Sequence, residues 1–189
     1  MVDRDGDKMS DLVVDNCEDN LVDKARMSDI GSDTSDDSDK MVPSDTDNQL
    51  INACEKGNLA QAQQAVDHGA LVNCLDSAGW TPVMWAIRYN HHSVAEWLLA
   101  LPVNVNCGLD GLNLNTLQLA SAVCTNSKIV TTVATMTDNP NAVSNDGWTA
   151  VQRAVFYGNM SAVMGLLPIL QIDWNAKHEK HGSLLDIAR

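Results

Sequence analysis

His178 and His181 stand three residues apart in "HEKH", a spacing that could present two imidazoles to one metal ion. A tetrahedral zinc site needs two further ligands at ordinary spacing. The five cysteines, Cys17, Cys54, Cys74, Cys107 and Cys124, lie far apart with no C-x-x-C pair to supply them. The histidine pair therefore reads as part of a solvated loop before the last helix, and no metal or cofactor is expected. His91 and His92 are neighbours at a predicted helix start, but acid–base catalysis there needs a partner that the sequence does not show. The chain has no G-x-S-x-G elbow, no phosphate-binding Gly-Lys-Ser/Thr loop and no H-E-x-x-H. It is expected not to be an enzyme, and its cysteines to be reduced packing residues.

Hydroxyls beside acids are the next reactive groups. A Ser-Asp step recurs at Ser10, Ser28, Ser32, Ser35, Ser38 and Ser44, and residues 1–47 hold fifteen of the twenty-five Asp and Glu against five Lys and Arg. That segment has no tryptophan, tyrosine or phenylalanine. It buries too little apolar surface to offset its ordering entropy, which predicts a disordered acidic tail over 1–47. Thr34 and Ser44 each have an acid three residues on, Asp37 and Asp47, a pattern that resembles acidophilic kinase sites and makes them candidate phosphorylation positions. A formal charge of −13 with no Lys/Arg cluster argues against a nucleic-acid surface. The start, "MVDRDGDKMSD", lacks the apolar run of a secretory signal, and no later stretch reaches the ~18 apolar residues of a membrane helix. A cytoplasmic location follows as the expectation, with the nucleus as the alternative.

The elements that would carry these residues are set by internal repetition. Ala53, Ala86, Ala120, Ala154 and Ala188 each follow an apolar or amphipathic run, at spacings of 33, 34, 34 and 34. Gly-Trp-Thr recurs at Gly79-Trp80-Thr81 and Gly147-Trp148-Thr149. With "TPVMWA" at Thr81–Ala86, this period resembles the ankyrin repeat and its T-P-L-H-x-A signature. The resemblance implies an all-α solenoid of stacked helix-turn-helix pairs over 48–189, with repeats at about 48–78, 79–110, 111–146 and 147–180 and a partial one at 181–189. His91 falls where such repeats commonly place a histidine for structural hydrogen bonding.

Irregularities in the period carry their own expectations. Asn90 takes a glycine's place and can adopt the left-handed conformation, whereas Pro102 and Pro168 cannot, so the helices before them should end differently. The third repeat, "NTLQLASAVCTNSKIVTTVATM", lacks Thr-Pro at its register and reads as carrying one extra residue between its helices, the weakest link in the array. The polar "AQAQQAVDHG" suits an N-terminal cap, while "GSLLDIAR" keeps Leu184, Leu185 and Ile187 with no second helix after them, so the chain is expected to be a segment of a longer protein.

In ankyrin-like folds partners usually bind the concave face made by hairpin tips and first helices. By register Trp85 replaces the motif's inward leucine and is expected in the core. Trp80, Arg88 and Tyr89, and Trp148, Phe156 and Tyr157 two repeats on, fall at positions the repeat core does not need. Aromatics and arginine dominate binding energy at protein interfaces, so these six are the candidate partner site of a monomeric, non-catalytic interaction module. Two finer resemblances exist. Trp80 and Trp85 are similar to the paired tryptophans of the ankyrin segment in histone-lysine methyltransferases, which cage methyl-lysine, but Arg88 stands in the acid's place and the next repeat offers Gln118 and Leu119. The acidic start before "GWTP" repeats is similar in layout to a germ-cell ankyrin/SAM scaffold of small-RNA granules.

Overall fold

The computed structural model describes residues 43–107 and 113–189; residues 1–42 of the expected tail, with Thr34, lie outside them, whereas Asp45–Asp47, expected within the disordered tail over 1–47, open the first helix because Ser44 caps it. Among the described residues the chain is helical: α1 (Asp45–Glu55), α2 (Leu59–Asp67), α3 (Pro82–Arg88), α4 (His92–Leu99), α5 (Thr116–Val123), α6 (Ser127–Met136), α7 (Ala150–Phe156), α8 (Met160–Leu166) and α9 (Leu184–Ile187). His178 and Gly182 form an isolated antiparallel bridge.

Each odd-numbered helix begins at a side-chain cap. Ser44, Thr81, Asn115, Thr149 and Ser183 accept the amide of the third helical residue and so satisfy one of the donors a helix start leaves open. Pro82 at the first position of α3 removes a donor that needed no partner. These helices form one row, α1 against α3, α3 against α5, α5 against α7 and α7 against α9, and the even-numbered helices form a second row in the same order. The two rows make the stacked helix pairs of a solenoid, all-α as the resemblance implied. Ala53, Ala86, Ala120 and Ala154, all buried, mark the seam where the rows meet because no larger side chain fits between packed helices.

Short polar side chains bind one repeat to the next. Asn73 accepts the Asn104 amide at 2.7 Å and donates to the Pro102 carbonyl at 3.0 Å, and Asn141 does the same with Asp173 and Gln171. His91 Nε2 lies 2.9 Å from the Glu55 carbonyl, the structural bond its register implied, and Asn159 reaches back to the carbonyls of Ser121 and Cys124. Asn90 is left-handed (φ 57°) and spends its amide on Val123 and Thr125. The caps of the helices before Pro102 and Pro168, Ala100 and Leu167, are followed by no left-handed residue, whereas the His68 cap of α2 is followed by the left-handed Gly69.

The third helix pair departs from its expectation. Three residues join the helices in each of the last three pairs, 89–91, 124–126 and 157–159; the extra residue lies within α5, eight residues long against seven in α3 and α7. Every residue of α5 is buried, because helices pack on it from both neighbouring repeats and from α6. Gln118 is tolerated there by donating to the carbonyls of Ala142 (2.8 Å) and Trp148 (3.2 Å).

Candidate aromatic binding face

The turn before α3 is built around Asp76. Its Oδ1 accepts the amides of Ala78 and Trp80, both at 2.8 Å, and its backbone amide donates to the Trp80 carbonyl. Gly79 makes the turn at φ 81°, a conformation that side chains resist. The second carboxylate oxygen of Asp76 accepts the Trp85 indole N–H at 2.8 Å. One acid thus fixes both tryptophans of "GWTPVMWA".

Their roles are the reverse of the expected ones. Trp80 is 4% exposed and belongs to the core, whereas Trp85 is only partly buried. The physical reason lies in the turn: closing it on Asp76 directs the Trp80 ring into the repeat, while the indole N–H keeps Trp85 at the rim beside a partly exposed carboxylate. Trp80 is therefore removed from the exposed candidates. From it the aromatics continue as a ladder. Trp80 stacks on Trp85 (centroids 4.8 Å apart), Trp85 on Tyr89 (5.9 Å, planes within 11°), and Tyr89 leans towards His91 (6.2 Å). Arg88 sets its guanidinium carbon 5.9 Å from the Tyr89 ring centre, and Tyr89 is 48% exposed.

Two repeats on, the register of Trp85 is held by Arg153. It is buried, pairs with Asp146 at 2.6 Å and donates to Ser144 Oγ at 2.9 Å, so a cation pins this turn where an indole pins the other. The aromatic neighbour here is Trp148, packed on Phe156 (4.9 Å), His178 (4.3 Å) and His181 (4.9 Å), with Tyr157 edge-on to Phe156. In "HEKH" Glu179, Lys180 and His181 are exposed, as expected of a solvated loop, but His178 is not. His178 is buried, with Nδ1 accepting the amides of Lys180 and His181. Its Nε2 then carries the proton and donates to the Asp146 carbonyl at 3.2 Å. Both ring nitrogens are committed to backbone, and the loop folds over Trp148 through the His178–Gly182 bridge. Of this group Phe156 is 43% exposed, and Trp148 and Tyr157 are partly buried.

The structure thus brings the candidates into two groups, Arg88 and Tyr89 in the second repeat and Trp148, Phe156 and Tyr157 in the fourth. Trp85, His178 and His181 join them without having been expected there. The recurrence of Gly-Trp-Thr was the available signal for His178, since a turn tryptophan needs a packing partner from the next loop.

The other expected site residue within the described region is Ser44. Its side chain caps α1, and its hydroxyl donates to Asp47 Oδ2 at 2.7 Å. Asp47 is buried, and its Oδ1 accepts the Leu71 amide at 2.7 Å. Burial alone would raise the Asp47 pKa, but the Leu71 amide and the Ser44 hydroxyl and amide outweigh it and hold the carboxyl below its usual value. Among the cysteines, burial pushes the thiols of Cys54 and Cys74 up to about 12, and raises those of Cys107 and Cys124 too. Such thiols are poor nucleophiles at neutral pH. No group of three or more metal-ligating side chains forms among the described residues.

A family model for ankyrin repeats (3 copies) matches residues 17–110. The match begins inside the stretch expected as the acidic tail and ends before α5, so the later helix pairs are carried by the structure and the period. The chain is 38% identical over 64 residues to osteoclast-stimulating factor 1 of Danio rerio, covering 34% of this chain and 28% of that protein. It is 40% identical over 73 residues to ankyrin repeat domain-containing protein 63 of Homo sapiens, covering 37% of this chain and 19% of that protein. The aligned part is thus under a third of each relative's length. The chain belongs to the ankyrin-repeat family, whose stacked repeats form protein–protein interaction modules.

Proposed function

We propose that this chain is a non-catalytic scaffold that binds a protein partner through the aromatic groups of its second and fourth repeats. The observation that carries the reading is the ladder Trp85–Tyr89 with Arg88 over its outer ring. A tyrosine 48% exposed, stacked on an indole whose N–H is already satisfied, offers a rigid apolar face at little entropic cost. Trp85 replaces Trp80 in the site, and Arg88, Tyr89, Trp148, Phe156 and Tyr157 remain in it. Among the described residues no helix is long and apolar enough to cross a membrane, so a protein surface is the partner considered.

A methyl-lysine reader is served less well by this geometry. A cage needs its rings apart around the ammonium, whereas Trp80 and Trp85 are stacked on each other and Trp80 is buried. Arg88 adds a positive charge where the ligand would bring its own. The test is a paired set of melting curves and pull-downs with Tyr89→Ala, Arg88→Glu and Phe156→Ala. The reading expects melting midpoints within a few degrees of the parent and loss of the same captured protein from all three. Retention of that protein by all three would overturn it.

A further inference from the structure

Two positions after the seam alanines of the inner helices stand Glu55, Arg88, Ala122 and Phe156, one in each repeat. Arg88 and Phe156 both lie inside the array, since α3 packs between α1 and α5, and α7 between α5 and α9. Their exposure belongs to the face itself. Between them the third repeat offers Ala122 and Val123, both buried, so the two aromatic groups flank an uncharged saddle of small side chains.

Charge on this face is one-sided. Helices α3, α5 and α7 contain no Asp or Glu, in a chain of net charge −13, and their charged side chains are Arg88 and Arg153. The acids of the adjoining turns are already engaged. Asp146 pairs with the buried Arg153, and Asp76 accepts the amides of Ala78 and Trp80 on Oδ1 and the Trp85 indole on Oδ2. Glu55, one repeat before Arg88 in the row, makes no ion pair with it, and among the described residues Arg88 pairs with no carboxylate. Its guanidinium is placed by the Tyr89 ring, 5.9 Å from the ring centre, a contact that uses none of its N–H donors.

We infer that the partner lies across this face as an extended acidic segment, with an Asp or Glu carboxylate on Arg88 beside Tyr89 and a bulky apolar side chain on Phe156. The inference rests on the aromatic-face reading and adds the partner's chemistry to it. A carboxylate matches a single guanidinium fork, whereas a phosphoryl group, with a charge of about −2, is held by clusters of arginines. Packed helix axes lie about 8–10 Å apart, so α3 and α7 are separated by about 16–20 Å, the reach of about five or six extended residues.

Panning a displayed library of random peptides against the full chain tests this. A −13 body repels acids in general and enriches Lys and Arg, so a preference for an acid has to come from a local site. Enriched peptides are expected to carry Asp or Glu at one position and a large apolar residue about five or six residues away. On Arg88→Gln the acid preference should vanish and the apolar one remain; on Phe156→Ala the distal apolar preference should vanish and the acid remain. Glu55→Gln should change neither. A synthetic copy of an enriched peptide should bind Arg88→Gln at least about tenfold more weakly than the parent, with unchanged circular dichroism of the variant. Enriched peptides without an acid, or an acid preference that survives Arg88→Gln, would overturn the acidic segment, and the aromatic face would still stand if Tyr89→Ala or Phe156→Ala abolished their binding. Peptides indifferent to Arg88, Tyr89 and Phe156 alike, or no enrichment at all, would overturn both.

Discussion

The Trp85 indole N–H donates to the Asp76 carboxylate at 2.8 Å, and through this bond the turn and the first helix of the second repeat hold each other. Two repeats on, Arg153 and Asp146 do the same at 2.6 Å with a charge in place of the indole. The motif keeps the connection and changes the chemistry that makes it. Trp80→Ala should then cost about 3–5 kcal/mol, the loss of a buried aromatic. Trp85→Phe, which keeps a ring and removes only the donor, should cost about 1–2 kcal/mol. Urea unfolding of the two variants orders them, and no loss in Trp85→Phe would mean that the bond to Asp76 holds nothing.

Gly165 gives a sharper test of packing between outer helices. Alanine is the better helix former by about 1 kcal/mol. Here, however, its Cβ would stand 2.6 Å from the Ser127 carbonyl and 2.8 Å from Val130 Cβ. Backbone cannot move aside as a flexible side chain does, so Gly165→Ala is expected to destabilise by about 1–3 kcal/mol net. Thermal melting reads the sign directly.

How much of this was legible beforehand divides along physical lines. The alanine period and the Gly-Trp-Thr recurrence placed the helix pairs, because stacking repeats admits only small side chains at the seam. They could not place Trp80 and Trp85, since both are apolar, five residues apart, and either could point inward. The carboxylate of Asp76, four residues before the first, decides between them, and its role depends on a turn geometry that a repeat motif does not encode. His178 was missed for a similar reason: its partners are backbone groups and the Trp148 ring thirty residues earlier, invisible to a search for side-chain ligands.

Asp47 links the start of α1 to the loop after α2, and its carboxyl titrates below its usual value. A depressed carboxyl contributes stability above its unfolded pKa, ~3.9, which is lost as pH falls through the lower folded value. Asp47→Asn should therefore lower the melting temperature at pH 7, and the gap from the parent should narrow below about pH 4. A gap that stayed constant from pH 7 to 3 would place the effect in shape rather than charge.

Thiol reactivity checks the reading of the cysteines as packing groups. In a Cys17→Ser background, a chromogenic disulfide at pH 8 should modify Cys107 first, as it is only partly buried. Cys54 and Cys74, buried and pushed up to about 12, should react only on unfolding. Rapid reaction of all four would show that the first repeat opens readily.

The claim that the aromatic groups meet a partner is tested most directly by site-specific photo-crosslinking. A benzophenone amino acid placed at Tyr89, at Phe156 and, as a control, at the exposed Leu71 samples both groups and an unrelated surface. The account predicts that one protein is captured from both Tyr89 and Phe156, is absent from the Leu71 position, and is lost from the Phe156 position when Arg88→Glu is added. Capture of the same proteins from all three positions, or of none from Tyr89 and Phe156, would contradict it.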